Sequence, residues 1–167
     1  MRYLIFIIVL LPVFAFSQSI IESQLKTAAR EIMTAAKSCA LITQSKDGSS
    51  RVRTMDPFAP ESDFTVWFGT NSNSRKVNQI KNNPQVTLYY LDADNTGYVT
   101  IHGTAEIVNN IQEKAKRWKE EWKDFYPKRP NGYSLIKFSP KWMEIVSETR
   151  GILGDSLSWK PLNVKFD

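Results

Sequence analysis

Between Ile20 and Lys37 the apolar positions are Ile21, Leu25, Ala28, Ala29, Ile32, Met33 and Ala36, with charged residues between them. Those positions trace one stripe of a 3.6-residue period, which predicts an amphipathic helix. The period then shortens. Ala40–Thr43 reads as a strand and Arg51–Met55 as its returning partner. Ser45-Lys46-Asp47-Gly48 forms the turn between them, with glycine at the position that needs positive φ. Two prolines in Asp56-Pro57-Phe58-Ala59-Pro60 interrupt any ladder and mark an irregular stretch. Phe64–Thr70, rich in β-branched and aromatic residues, is a third strand.

Asn71-Ser72-Asn73-Ser74 concentrates capping residues ahead of a short helix over Arg75–Lys81, which Asn82-Asn83-Pro84 stops. Val86–Leu91 is the next strand, and Asp92–Gly97 turns into a long one, Tyr98–Val108. Asn109 is placed to cap a helix over Ile111–Phe125, and Tyr126–Tyr133 reads as a loop. Leu135–Phe138 and Trp142–Val146 suggest a last hairpin around Ser139-Pro140, while Glu148–Asp167 has little periodicity. Short turns between strands imply mainly antiparallel pairing. About six or seven strands with few flanking helices predict a mainly β (α+β) fold, a small closed or partly open barrel. No repeat or linker divides the chain, so one domain is expected.

Composition narrows the chemistry. The 167 residues contain a single cysteine, Cys39, and a single histidine, His102. An intrachain disulfide, a thiolate cluster and a multi-histidine metal site are therefore excluded. Residues 1–17 combine Arg2, the apolar run Leu4–Phe16, and small residues at Ala15 and Ser17. This is the pattern of a signal peptide, shorter than the roughly 20 apolar residues of a membrane span. An uncleaved anchor is the alternative. Cleavage near Ser17 would start the mature domain, residues 18–167, at Gln18 and make it periplasmic or secreted, with no stable membrane span. The formal net charge of +5 suits an anionic ligand and falls short of a nucleic-acid-binding signature.

One basic cluster carries more than bulk charge. Strand alternation places Arg51, Arg53 and Met55 on one face. Ser74-Arg75-Lys76 stands at a helix start, where free N–H groups and the dipole favour an anion. Arginine matches phosphate oxygens with a planar fork, and lysine adds a point charge. Brought together, the two stretches would bind a dianion; apart, they are ordinary solvated charge. Other candidates have plainer readings. His102 reads as a structural residue before a haem ligand, and Cys39 as a buried, inert thiol. Trp118 and Trp122, among interleaved lysines and glutamates, read as part of a salt-bridged solvent face. Asp92 and Asp94 read as turn residues.

The wording around the basic cluster is more specific. Gly48–Met55, Phe64–Asn71, Ser74–Val86 and Tyr98–Glu106 follow one another in a succession that resembles the pyridoxamine 5′-phosphate oxidase-like family. The nearest likeness is to its general stress protein branch, over roughly Ile32–Val146. That resemblance implies an FMN-binding split β-barrel and an oxidoreductase acting on a small substrate. It implies a phosphate held by Arg53, Arg75 and Lys76 with help from Ser74, and a flavin edge along the backbone of Thr54 and Met55. Gly69, Thr70 and Tyr98 match further cofactor contacts, Gly69 through its backbone alone. The resemblance also implies a homodimer with FMN at the interface, where the C-terminal Trp159 could reach the flavin. The Arg-x-His pair that grips the vitamin B6 substrate is absent from Glu148–Asp155, which argues against that reaction. A non-catalytic flavin-binding redox or stress protein, or a haem-binding barrel, are the alternatives.

Overall fold

The apolar stripe of the first helix is what fastens it to the sheet. In the computed structural model, which describes residues 11–166, α1 (Leu11–Ala35) buries Leu25, Ala28, Ala29, Ile32 and Met33 in the main core. Residues 1–10, which hold the basic start of the expected signal peptide, lie outside the described residues. Among those described, no helix is long and apolar enough to cross a membrane.

The sheet follows from period-2 burial. Its strands are β1 (Cys39–Gln44), β2 (Ser50–Met55), β3 (Val66–Asn71), β4 (Gln85–Leu91), β5 (Gly97–Val108), β6 (Tyr133–Ser147) and β7 (Leu162–Lys165). Every pairing is antiparallel, in the order β2-β1-β4-β5-β6-β3 with β7 on β6. The sheet does not close, so β2 and β3 remain its two ends. Alternate residues such as Leu41, Leu88, Val99, Ile101, Met143 and Ile145 are fully buried on the α1 side. The helix α2 (Arg75–Asn82), which follows β3 and precedes β4 in the chain, sets Val77 and Ile80 inward and packs on β1 and β5.

Three expectations need correction. First, no hairpin forms around Ser139-Pro140, and β6 runs through it unbroken. Pro140 lies opposite Gly103 where the β5–β6 register shifts, and a bulge accommodates a residue without an N–H. Second, the helix expected over Ile111–Phe125 ends early, as α3 (Ile111–Lys116) and a 3₁₀ turn at Glu120–Trp122. Its cap is Asn110, whose side chain accepts from the Glu113 N–H at 3.0 Å, not Asn109. Asn109 instead accepts from the Ser134 hydroxyl at 2.8 Å. Helical geometry gives way because Arg117 is drawn inward, stacked 3.7 Å over Trp67 and ion-paired with Glu61, while its pair with Glu113 spans the last turn of α3. Third, the tail is not featureless: β7 adds to β6, and Phe166 packs against Phe64 at 5.1 Å.

Asp92 is buried and meets the Arg150 guanidinium at 2.6 Å, and Arg150 also reaches Glu31 of α1 at 3.3 Å. Asp94 accepts from the Thr96 N–H at 2.9 Å, as a turn residue does. Cys39 is buried beside Tyr90, and desolvation pushes its thiol up to about 12. The folded chain should therefore resist a disulfide-exchange thiol reagent at pH 8, whereas the chain unfolded in guanidinium should react fully within minutes. Rapid stoichiometric labelling of the native protein would contradict the burial.

Candidate anion and cofactor site

Strand β2 is an end strand, so its side chains can lean past β1 towards α2. Arg53 does so. Its guanidinium donates to the Leu41 carbonyl at 3.2 Å, the Thr43 hydroxyl at 2.7 Å and Gln79 Oε1 at 2.8 Å. Gln79 also accepts from the Thr43 hydroxyl at 2.7 Å, which ties the arginine to both β1 and α2. Arg51 departs from the expected pairing. It donates to the Ser45 hydroxyl at 2.9 Å, faces Asp47 at 3.9 Å and remains exposed. Proximity along the strand does not bring the two arginines together.

The second half of the cluster comes from the loop into α2. Lys76 donates to the buried Thr70 hydroxyl at 3.0 Å, and that hydroxyl lies 3.2 Å from the Ser74 hydroxyl. Ser74 occupies the N-cap in extended geometry, yet its side chain makes no cap bond, and no acidic residue stands in the first turn. The positive end of α2 is therefore unneutralised. Burial and the neighbouring Arg75 pull Arg53 below the ordinary arginine range. Burial and Arg53 pull Lys76 below the ordinary lysine range. Arg53, Arg75 and Lys76 thus sit within reach of one another's fields, and none of them forms an ion pair among the described residues. Like charges gathered without a carboxylate are stabilised by an anion.

A cavity of about 440 Å³ adjoins this cluster, lined by Thr54, Met55, Gly69, Thr70 and Lys76 on one wall and by Trp122, Phe125 and Tyr126 on another. The Trp122 ring lies directly against Gly69, where any Cβ would overlap it. Trp122 is buried, with Phe58 edge-on at 5.7 Å and Tyr126 at 6.0 Å. Sequence reasoning missed its role, because helical spacing assigned it to a solvent face. The available signal was Gly69 itself, a residue without a side chain amid a run of bulky strand positions.

Tyr98 and Trp159 lie elsewhere in the chain. They line a separate cleft of about 450 Å³ with Val146, Glu148, Leu153 and Asp155. Trp159 is 80% exposed, and Tyr98 stacks on Tyr89 at 5.5 Å. A single chain therefore gathers Arg53, Thr54, Met55, Gly69, Thr70, Ser74, Arg75 and Lys76, but not Tyr98 and Trp159. A larger cavity of about 800 Å³ lies between α1 and Phe64. Its charges are internally satisfied: Lys26 pairs with Glu22, and Arg30 donates to the carbonyls of Pro60, Glu61 and Ser62. His102 stacks on Trp142 at 3.9 Å and meets the Thr87 hydroxyl at 3.0 Å, a structural placement on the open sheet face.

The profile of the pyridoxamine 5′-phosphate oxidase like family matches residues 24–153. The chain belongs to this family. Its fold recurs in general stress protein 26 from Bacillus anthracis str. Sterne, which is 23% identical. That alignment covers 86% of this chain and 99% of that one, with a TM-score of 0.68. A pyridoxamine 5′-phosphate oxidase-related, FMN binding protein from Nostoc punctiforme PCC 73102 is 14% identical over 95% and 98% of the two chains, with a TM-score of 0.58. An F420 reductase is 22% identical over 68% and 94%, with a TM-score of 0.55. No curated protein matches the chain. The family resemblance and the mainly β, open-barrel fold are thereby borne out.

Gly69→Ala should force Trp122 off its seat, at about 1–3 kcal/mol for overpacking a filled site. Thermal unfolding and tryptophan emission measure this. An unchanged midpoint with an unshifted emission maximum would show that the ring does not rest there.

Proposed function

We propose that the chain is an FMN-binding flavoprotein that acts as an oxidoreductase on a small substrate. The observation that carries this reading is the convergence of Arg53, Arg75 and Lys76, without a carboxylate, on the uncapped start of α2 beside a cavity. A phosphate dianion fits that donor set in charge and in chemistry: a guanidinium fork, an ammonium group, the Ser74 hydroxyl and free helix amides.

In this reading the phosphate end is held by Arg53, Ser74, Arg75 and Lys76. Gln79 and Thr43 keep the Arg53 fork oriented, so little side-chain order is lost on binding. Thr54 and Met55 border the ring, and Trp122 keeps water from the opposite wall. FMN, when bound, supplies a ring that accepts and passes on a hydride or electrons. The chain's own part is to bind it, orient it and keep positive charge near it. The neighbour named F420 reductase makes F420 the competing cofactor, and titration with each separates them.

The remaining parts of the reading concern assembly and place. A homodimer would let the exposed Trp159 and the Tyr98 cleft of one copy complete the cofactor site of the other, supported by their separation from the cations within one chain. The apolar run Leu4–Phe16 supports export.

Each of Arg53→Ala and Lys76→Ala removes a charge-assisted contact of about 1.5–3 kcal/mol. The double variant should therefore bind FMN at least a hundredfold more weakly by flavin-fluorescence titration, while the apo melting midpoint changes little. Undiminished affinity would overturn the phosphate assignment. FMN affinity should also fall as pH rises through the lowered pKa of Lys76, sooner than an ordinary lysine near 10.5 would require. The ammonium is present below that pKa and lost above it, so Lys76→Arg should shift the decline to higher pH.

A further inference from the structure

The cavity has two walls of opposite character. One, from β2, β3 and α2, ends at Lys76 and the cations behind it. The other is the segment around the 3₁₀ turn, where Glu121 lines the same cavity with Trp122, Phe125 and Tyr126. Glu121 is exposed and forms no ion pair or side-chain hydrogen bond among the described residues. Phe125 is 77% exposed, an unusual place for a phenyl ring with nothing packed over it.

The neighbouring surface already answers to a cation. The Lys119 ammonium pairs with Asp56, another lining residue, at 2.6 Å. It also stands 4.9 Å from the centre of the Phe58 ring and 5.8 Å from that of Trp122. Carboxylate and ring faces therefore combine to hold positive charge at one end of this wall, and Glu121 with Phe125 repeats the combination without an occupant from the chain. Ring quadrupoles attract cations, and a carboxylate beside them adds a directed charge contact.

We propose that this wall is a second binding site, selective for small organic cations carried on a flat or apolar body. It would admit the reaction partner of the bound cofactor, with Glu121 and Phe125 as the specificity-determining residues. As the partner's site, the assignment rests on the flavin reading of the opposite wall. An anionic partner is disfavoured there by Glu121, which separates this site from the phosphate-binding one.

The probes are 1-methylnicotinamide, a cation, and nicotinamide, its neutral unmethylated analogue, titrated calorimetrically into the FMN-saturated protein and into the chain alone. The cation should bind about two- to fivefold more tightly, the scale of one exposed charge contact. Glu121→Gln should erase that preference with nicotinamide binding unchanged, and Phe125→Ala should weaken both probes. FMN affinity, measured in the Glu121→Gln variant, should hold steady. Equal binding of the two probes, or a preference that survives Glu121→Gln, overturns the cation site and leaves the flavin reading intact. Failure of the wild-type chain to bind FMN overturns the flavin reading, and the preference measured in the chain alone then still decides the cation site.

Discussion

Three positive groups held close together against their own repulsion are the constraint around which the site is arranged. Arg53 leans from an end strand and is fixed by a strand carbonyl, a threonine hydroxyl and the Gln79 amide oxygen. Lys76 is fixed from the other side by Thr70. Both are partly desolvated; Arg75 further weakens Arg53's hold on its proton, and Arg53 weakens that of Lys76. Neutral hydrogen bonds orient these charges without neutralising them, so the field remains available to an anion. A carboxylate in Gln79's place would have satisfied Arg53 within the fold and removed the site.

The second wall depends on a different device. Arg117 is buried, lies flat on Trp67 and spans Glu61 and Glu113. A guanidinium can do this because its planar face stacks while its edge donates in several directions. The inward pull of Arg117 ends α3 and turns the chain so that Trp122 meets Gly69. The tertiary ion pair thereby sets the position of an aromatic residue that local helix propensity would have turned outward.

The contrast explains what could be read from the chain. Strands β1 to β5 were legible because alternation and turn glycines are local signals. The basic helix start and Arg53 were legible because charge, caps and strand parity are local too. The split of Ile111–Phe125 was not, since its cause is a contact between Arg117 and residues some fifty positions away in sequence. The unbroken run of β6 through Pro140 was equally hidden, because only pairing with Gly103 supplies the bulge that tolerates proline. Arg51 was placed with Arg53 by parity alone, yet Ser45 and Asp47 in the preceding turn turn it away.

The contact between Gly69 and the Trp122 indole has a consequence for how this chain can vary. One volume is shared by two positions far apart in sequence, so neither can grow while the other stays large. Among related chains a bulky residue at the strand position should accompany a small one in the 3₁₀ turn, and the reverse arrangement should also occur. The aromatic surface bordering the cavity is then a property that can migrate from one segment to another while the volume it fills is conserved.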